Sequence, residues 1–286
     1  MPIYPLGDLV QFARSSAKHH LALSRACAIA GALLLLCALA PRVWAGGPKY
    51  IAGTSYFNPA VTGQPVHWSG GHVSYYVDQG PLSINVSNQQ ATAMVDAAAA
   101  LWNAVPTAGV ALTDKGSLNE DVSGSNILVN SSGTILASTD ITPSATNYPV
   151  AVIYDADGSM INALFGPTAS APGTCQDNSV FVWADNFNPN ATFAHAVIVL
   201  NGLCATSAPL LDMMSFELER AFGRVLGLDA SQVNPQALQG SEPNGTLGWP
   251  VMQPAPAGIC GALGGDCIPN PAVLRYDDIA ALNRLY

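Results

Sequence analysis

The side chains with the most chemical promise lie between positions 217 and 231. There Glu217, Glu219, Arg220, Arg224 and Asp229 set two guanidinium groups four residues apart among three carboxylates. On a helix that spacing is about one turn, so both arginines share a face. Such a pair has two uses. Arg220 and Arg224 can bond nearby acids, with Glu217 three residues before Arg220, Glu219 five before Arg224 and Asp229 on the following turn. Pairs of this kind contribute only tenths of a kcal/mol. Alternatively the arginines face a cleft, where their planar forks pair with an internal carboxylate or receive one from a peptide end or an acidic ligand.

Other donor groups are scattered. Beyond residue 45 the only histidines are His67, His72 and His195, one in an irregular segment and two in strand-like ones, where packed or edge-facing roles are commoner than metal ligation. Asp155-Ala156-Asp157-Gly158-Ser159 has the spacing of an oxygen-rich calcium loop. A run of this type between strands reads first as a hairpin turn, with calcium as the lesser alternative. Four cysteines, Cys175, Cys204, Cys260 and Cys267, allow three pairings; local loop closure favours Cys175 with Cys204 and Cys260 with Cys267. A four-thiolate zinc site is the rival, and no Cys-x-x-Cys knuckle supports it.

The setting for these groups is an exported protein. Arg14, Lys18 and Arg25 precede an apolar run from Ala26 to Ala40, too short to span a bilayer comfortably, and Val43-Trp44-Ala45 ends in the small residues that signal peptidase accepts. Residues 1–45 therefore read as a signal peptide, which implies a secreted, extracellular or periplasmic protein. A lipoprotein reading at Cys37 is disfavoured by Leu36, where a small residue is wanted. Removing residues 1–45 takes four of ten Lys/Arg and one of nineteen Asp/Glu, leaving six basic and eighteen acidic residues and a formal charge of −12. So acidic a protein is not built for nucleic acid, which needs a basic face. No later segment is apolar enough for a membrane span.

Residues 46–70 lack periodicity and read as an extended arm. His72 to Asp78 alternates like a strand, and Ser87 can cap a helix through Ala91, Val95, Ala98 and Trp102. Strand-like runs follow at 110–113, 127–130, 150–154, 180–183 and 194–200, which together suggest one mixed sheet. A second helix is expected from near Pro209 to Leu226, closed by Gly227. A long irregular stretch precedes a short final helix from Asp277 to Leu285, whose first-turn acids suit the helix dipole. The predicted fold class is α+β.

The run Arg220-Ala221-Phe222-Gly223-Arg224-Val225-Leu226-Gly227-Leu228-Asp229-Ala230-Ser231 resembles the end of the zinc-binding helix of matrixins, metzincin proteases with the motif HExGHxLGLDHS. Pro250-Val251-Met252-Gln253-Pro254 is similar to that family's Met-turn, and Asp277 through Tyr286 to its closing helix. The resemblance implies a twisted mixed sheet with a long first helix, an active-site helix, and an irregular C-terminal part. It also implies one domain over 71–286, with an upper part at 71–227 and a lower part at 228–286.

In this register Arg220 and Arg224 replace the first two zinc-ligand histidines, Ala230 the third, and Ala221 the general-base glutamate. A shifted register through Phe216, Glu217, Arg220, Gly223 and Leu226 keeps a glutamate but no histidine. Neither register offers neutral imidazoles to zinc or a base for its water. The resemblance therefore implies a pseudoprotease with no catalytic residue, no zinc and no other cofactor, whose old cleft binds a peptide or protein partner. The alternatives are a peptidase with unusual metal ligands and a purely structural surface protein.

Overall fold

The architecture is that of a computed structural model, which describes residues 46–129, 135–136, 140–231, 250–253 and 273–286. Its strands are β1 (His72–Val77), β2 (Ala111–Ser117), β3 (Leu128–Val129), β4 (Ile135–Leu136), β5 (Val150–Asp155), β6 (Val180–Asn188) and β7 (Thr192–Asn201). Five of them form one sheet in the order β2-β1-β5-β7-β6, and β3 with β4 makes a small hairpin. Neighbours within the sheet run parallel except β6, which lies antiparallel to β7 at the edge. The fold is α+β with a mixed sheet, as expected, and most of that sheet is parallel.

β5 and β7 are apolar almost throughout, and such strands need cover on both faces. On one face Val150, Val152, Tyr154, Ala196, Ile198 and Leu200 pack in the main core. Helices α1 (Asn88–Asn103) and α4 (Ala208–Val225) supply its other wall. On the other face Ala151, Ile153, Val197 and Val199 meet Met160 and Ile161 of α2 (Ser159–Phe165). A one-turn helix, α3 (Cys175–Asn178), precedes β6, and α5 (Tyr276–Leu285) is the last element.

The helices begin and end where local chemistry dictates. Ser87 and Gln90 form a capping box at α1, satisfying backbone donors reciprocally. Pro209 lies in the first turn of α4. At the other end Leu228 N donates to Gly223 O at 2.9 Å and Gly227 N to Arg224 O at 3.0 Å, a Schellman closure. Gly227 has φ of 92°, a left-handed conformation that glycine adopts without strain.

One expectation needs correction. The run Asp155 to Ser159 is not a hairpin turn but the passage from β5 into α2, because the Asp155 carboxylate accepts the N–H groups of Met160 and Ile161 at 3.1 and 2.8 Å. A buried carboxylate in that position caps a helix. The arm at 46–70 is more ordered than its composition suggests. Residues Pro59–Val61 form a 3-10 turn, Ala52 N donates to Gln64 O and Val66 N to Tyr50 O, and Tyr50 and Phe57 pack on Phe187. β6 also runs past the predicted residue 183, since a register shift between Ala184 and Asn186 admits the polar residues there.

Cys175 and Cys204 form the favoured disulfide, their Cα atoms 5.5 Å apart. Cys260, Cys267 and the segment 1–45 lie outside the described residues. No helix among the described residues is long and apolar enough to cross a membrane.

Candidate functional site

Three long-range contacts fix the C-terminal half of α4. The indole of Trp102 on α1 donates to Glu219 O at 2.8 Å, and Trp68 of the arm donates to Val225 O at 2.8 Å. Tyr286 Oη donates to Leu226 O at 2.8 Å, so the carbonyls of Val225 and Leu226, which the closing turn leaves over, are satisfied by distant side chains. Gly223 is the point of closest approach. A methyl group there would lie 2.4 Å from Met252 Sδ and 2.7 Å from Trp102 Cζ2, which is why the helix carries no side chain at that step.

Met252 is held under the helix by a carboxylate. Asp278, wholly buried in α5, accepts N–H groups from Val251 at 2.9 Å, Met252 at 3.0 Å and Arg275 at 2.9 Å. Burial raises its pKa while those donors oppose the rise. Sequence reasoning assigned Asp278 only to the helix dipole. Its larger task is to shape the turn at Val251 and Met252, and no local pattern announces a partner so distant in sequence.

The two arginines have different surroundings. Arg220 is buried, with Nη1 donating to Glu217 Oε1 at 3.1 Å and Nη2 to the backbone oxygen of Gln253 at 2.8 Å. Its guanidinium also lies 5.9 Å from the centre of the Phe216 ring. Burial lowers its pKa, Glu217 raises it and Arg224 lowers it again. Ala221 is buried on the same turn.

Arg224, one turn on, is half-buried and makes no ion pair or hydrogen bond with any described side chain. Of its two expected partners, Asp229 is exposed, with its carboxylate accepting from Ala230 N at 2.9 Å. Glu219 points elsewhere: its Oε2 is buried without a hydrogen-bond partner, and burial lifts its pKa to about 7.

The arm completes the site, and sequence reading missed it. Lys49 N donates to Gly227 O at 2.7 Å and Asp229 N to Gly47 O at 2.9 Å, so residues 47–49 run as a strap along the turn after α4. Gly46 is buried against Asp229, Ala230 and Ser231. The Lys49 ammonium stands 5.5 Å from the Tyr50 ring centre. Its pKa is lowered first by burial and then by the charge of Arg224, while Asp229 raises it.

The histidines are not brought together. His67 Nδ1 lies 3.2 Å from Pro65 O, and His72 is exposed at the start of β1. His195 is wholly buried in β7, with Nδ1 2.6 Å from Asp185 Oδ1. That pair spans the β6-β7 ladder, a juxtaposition legible only once the register is known. Among the described residues no three His, Cys, Asp or Glu side chains gather as a metal site would need. Comparison with known proteins finds no family whose sequence model matches this protein and no curated protein similar to it.

Proposed function

We propose that this protein is an exported, non-catalytic module on a metzincin-like frame, whose former cleft beside α4 binds a peptide or protein partner. The observation that carries the reading is the seat of Arg220. At the position of the first zinc-ligand histidine stands a buried guanidinium, bonded to Glu217 on its own helix and to the Gln253 carbonyl beside Met252. Guanidinium has five donors and no lone pair to give, so it can hold the helix to the turn as a metal would but cannot ligate one. Ala221 and Ala230 offer no donor either. The residues present therefore do not fit zinc, and no hydrolytic step runs through them.

The packing of Met252 Sδ against Gly223, between the two arginines, supports the same register. β6, at the sheet edge and packed beside α4, gives a peptide a strand to lie along. The test is metal content by mass spectrometry on protein purified after export, together with cleavage of an unstructured protein substrate with and without chelator. We expect neither zinc near one per molecule nor chelator-sensitive cleavage. Both together would overturn the proposal.

A further inference from the structure

Residues 46–286 carry only six basic side chains, and three of them, Lys49, Arg220 and Arg224, gather at the C-terminal half of α4. Their distribution is unequal. Arg220 is committed to Glu217 and to the Gln253 carbonyl. Arg224 and Lys49 are close enough to repel one another, and neither has an ion pair among the described residues. Both are partly exposed.

The backbone keeps them there. Lys49 is tied by its own N–H to Gly227 O, and Gly227 N is tied to Arg224 O, so the lysine and the arginine hang from one hydrogen-bonded turn. Repulsion within the pair is held in place by the fold. Glu217 and the buried Asp278 act on Arg220 and Asp229 acts on Lys49, yet none of these acids is bonded to Arg224, in a protein whose residues 46–286 sum to −12. The adjoining wall is aromatic, with Tyr50 edge-on to Phe187 and Phe193 at 5.3 and 5.8 Å between ring centres.

We propose that Arg224 and Lys49 form a receptor for one carboxylate of the partner, with the arginine fork engaging it directly and the lysine adding a point charge beside the Tyr50 ring. This rests on the cleft reading above, and it names what that cleft recognises. The carboxylate comes from the C-terminus of a polypeptide or from an acidic side chain. Charge-assisted bonds to a planar fork give direction, and the half-buried setting limits screening.

The four arginines of residues 46–286 give a sparse Nε–Hε region in a nitrogen–proton correlation spectrum, and Arg224→Gln assigns the relevant signal. N-acetylglycine presents a C-terminal carboxylate, N-acetylglutamic α-amide a side-chain carboxylate, and N-acetylglycinamide neither. The expected result is a saturable shift of the Arg224 signal with one of the carboxylates and none with the neutral amide. The tighter of the two identifies the source. Lys49→Met should weaken that binding by about tenfold, and unmoved signals from Arg275 and Arg284 report an intact fold.

A flat titration with both carboxylates, or equal affinity in Lys49→Met, overturns the inference. The two proposals fail separately. Zinc near one per molecule with chelator-sensitive cleavage ends the cleft reading whatever the titration gives, whereas a flat titration on zinc-free protein ends only the assignment to Arg224 and Lys49.

Discussion

Arg220 and Arg224 occupy the same face of the same helix one turn apart, yet one is sealed and the other is not. The cause lies off the helix. Opposite Arg220 the fold places Gln253, held in its turn by the carboxylate of Asp278 acting on the two residues before it. Opposite Arg224 it places another cation, Lys49, on a strap of arm. Identical side chains thus take a structural role where distant residues supply an acceptor, and stay available where they supply like charge.

The contrast is broken most directly at its sealed end. Arg220→Ala strips a buried guanidinium from an acid and a carbonyl, and should cost about 3 kcal/mol in urea unfolding. A loss below about 1 kcal/mol would mean that the latch holds little. A smaller effect concerns Glu219, whose burial favours the neutral acid. Its folded pKa is raised to about 7, so its contribution to stability is complete below the ordinary carboxylate range and is lost as pH rises through 7. The melting temperature should therefore fall between pH 5 and 8, and Glu219→Gln should recover about 2 °C at pH 8. An unchanged slope in that variant would place the carboxyl in water. The smallest change belongs to the open end: Arg224→Ala should shift unfolding by no more than about 0.5 kcal/mol. A loss rivalling that of Arg220→Ala would erase the distinction between the two.

Much of the frame is legible in the sequence because its signals are local. Ser87, Pro209, and Gly227 after Leu226 fix helix ends within a few residues, and the apolar runs at β5 and β7 mark central strands. What stays hidden depends on distance in sequence. Asp278 reaches back to Val251 and Met252, Asp185 meets His195 only through the ladder, and Lys49 meets Arg224 only because the arm pairs with residue 227. The turn at 155–159 misleads for another reason. Asp-x-Asp-Gly-Ser suits a hairpin and a helix start equally, and the choice is made by which N–H groups Asp155 bonds.

The strap along residues 227–229 has a practical consequence. Trimming the polypeptide to begin at the first strand would discard the buried Ala52, Val66 and Trp68 and unroof Phe187 and Phe193. A fragment cut there would carry a greasy scar beside its sheet edge, inviting self-association, so a shortened form should keep the arm.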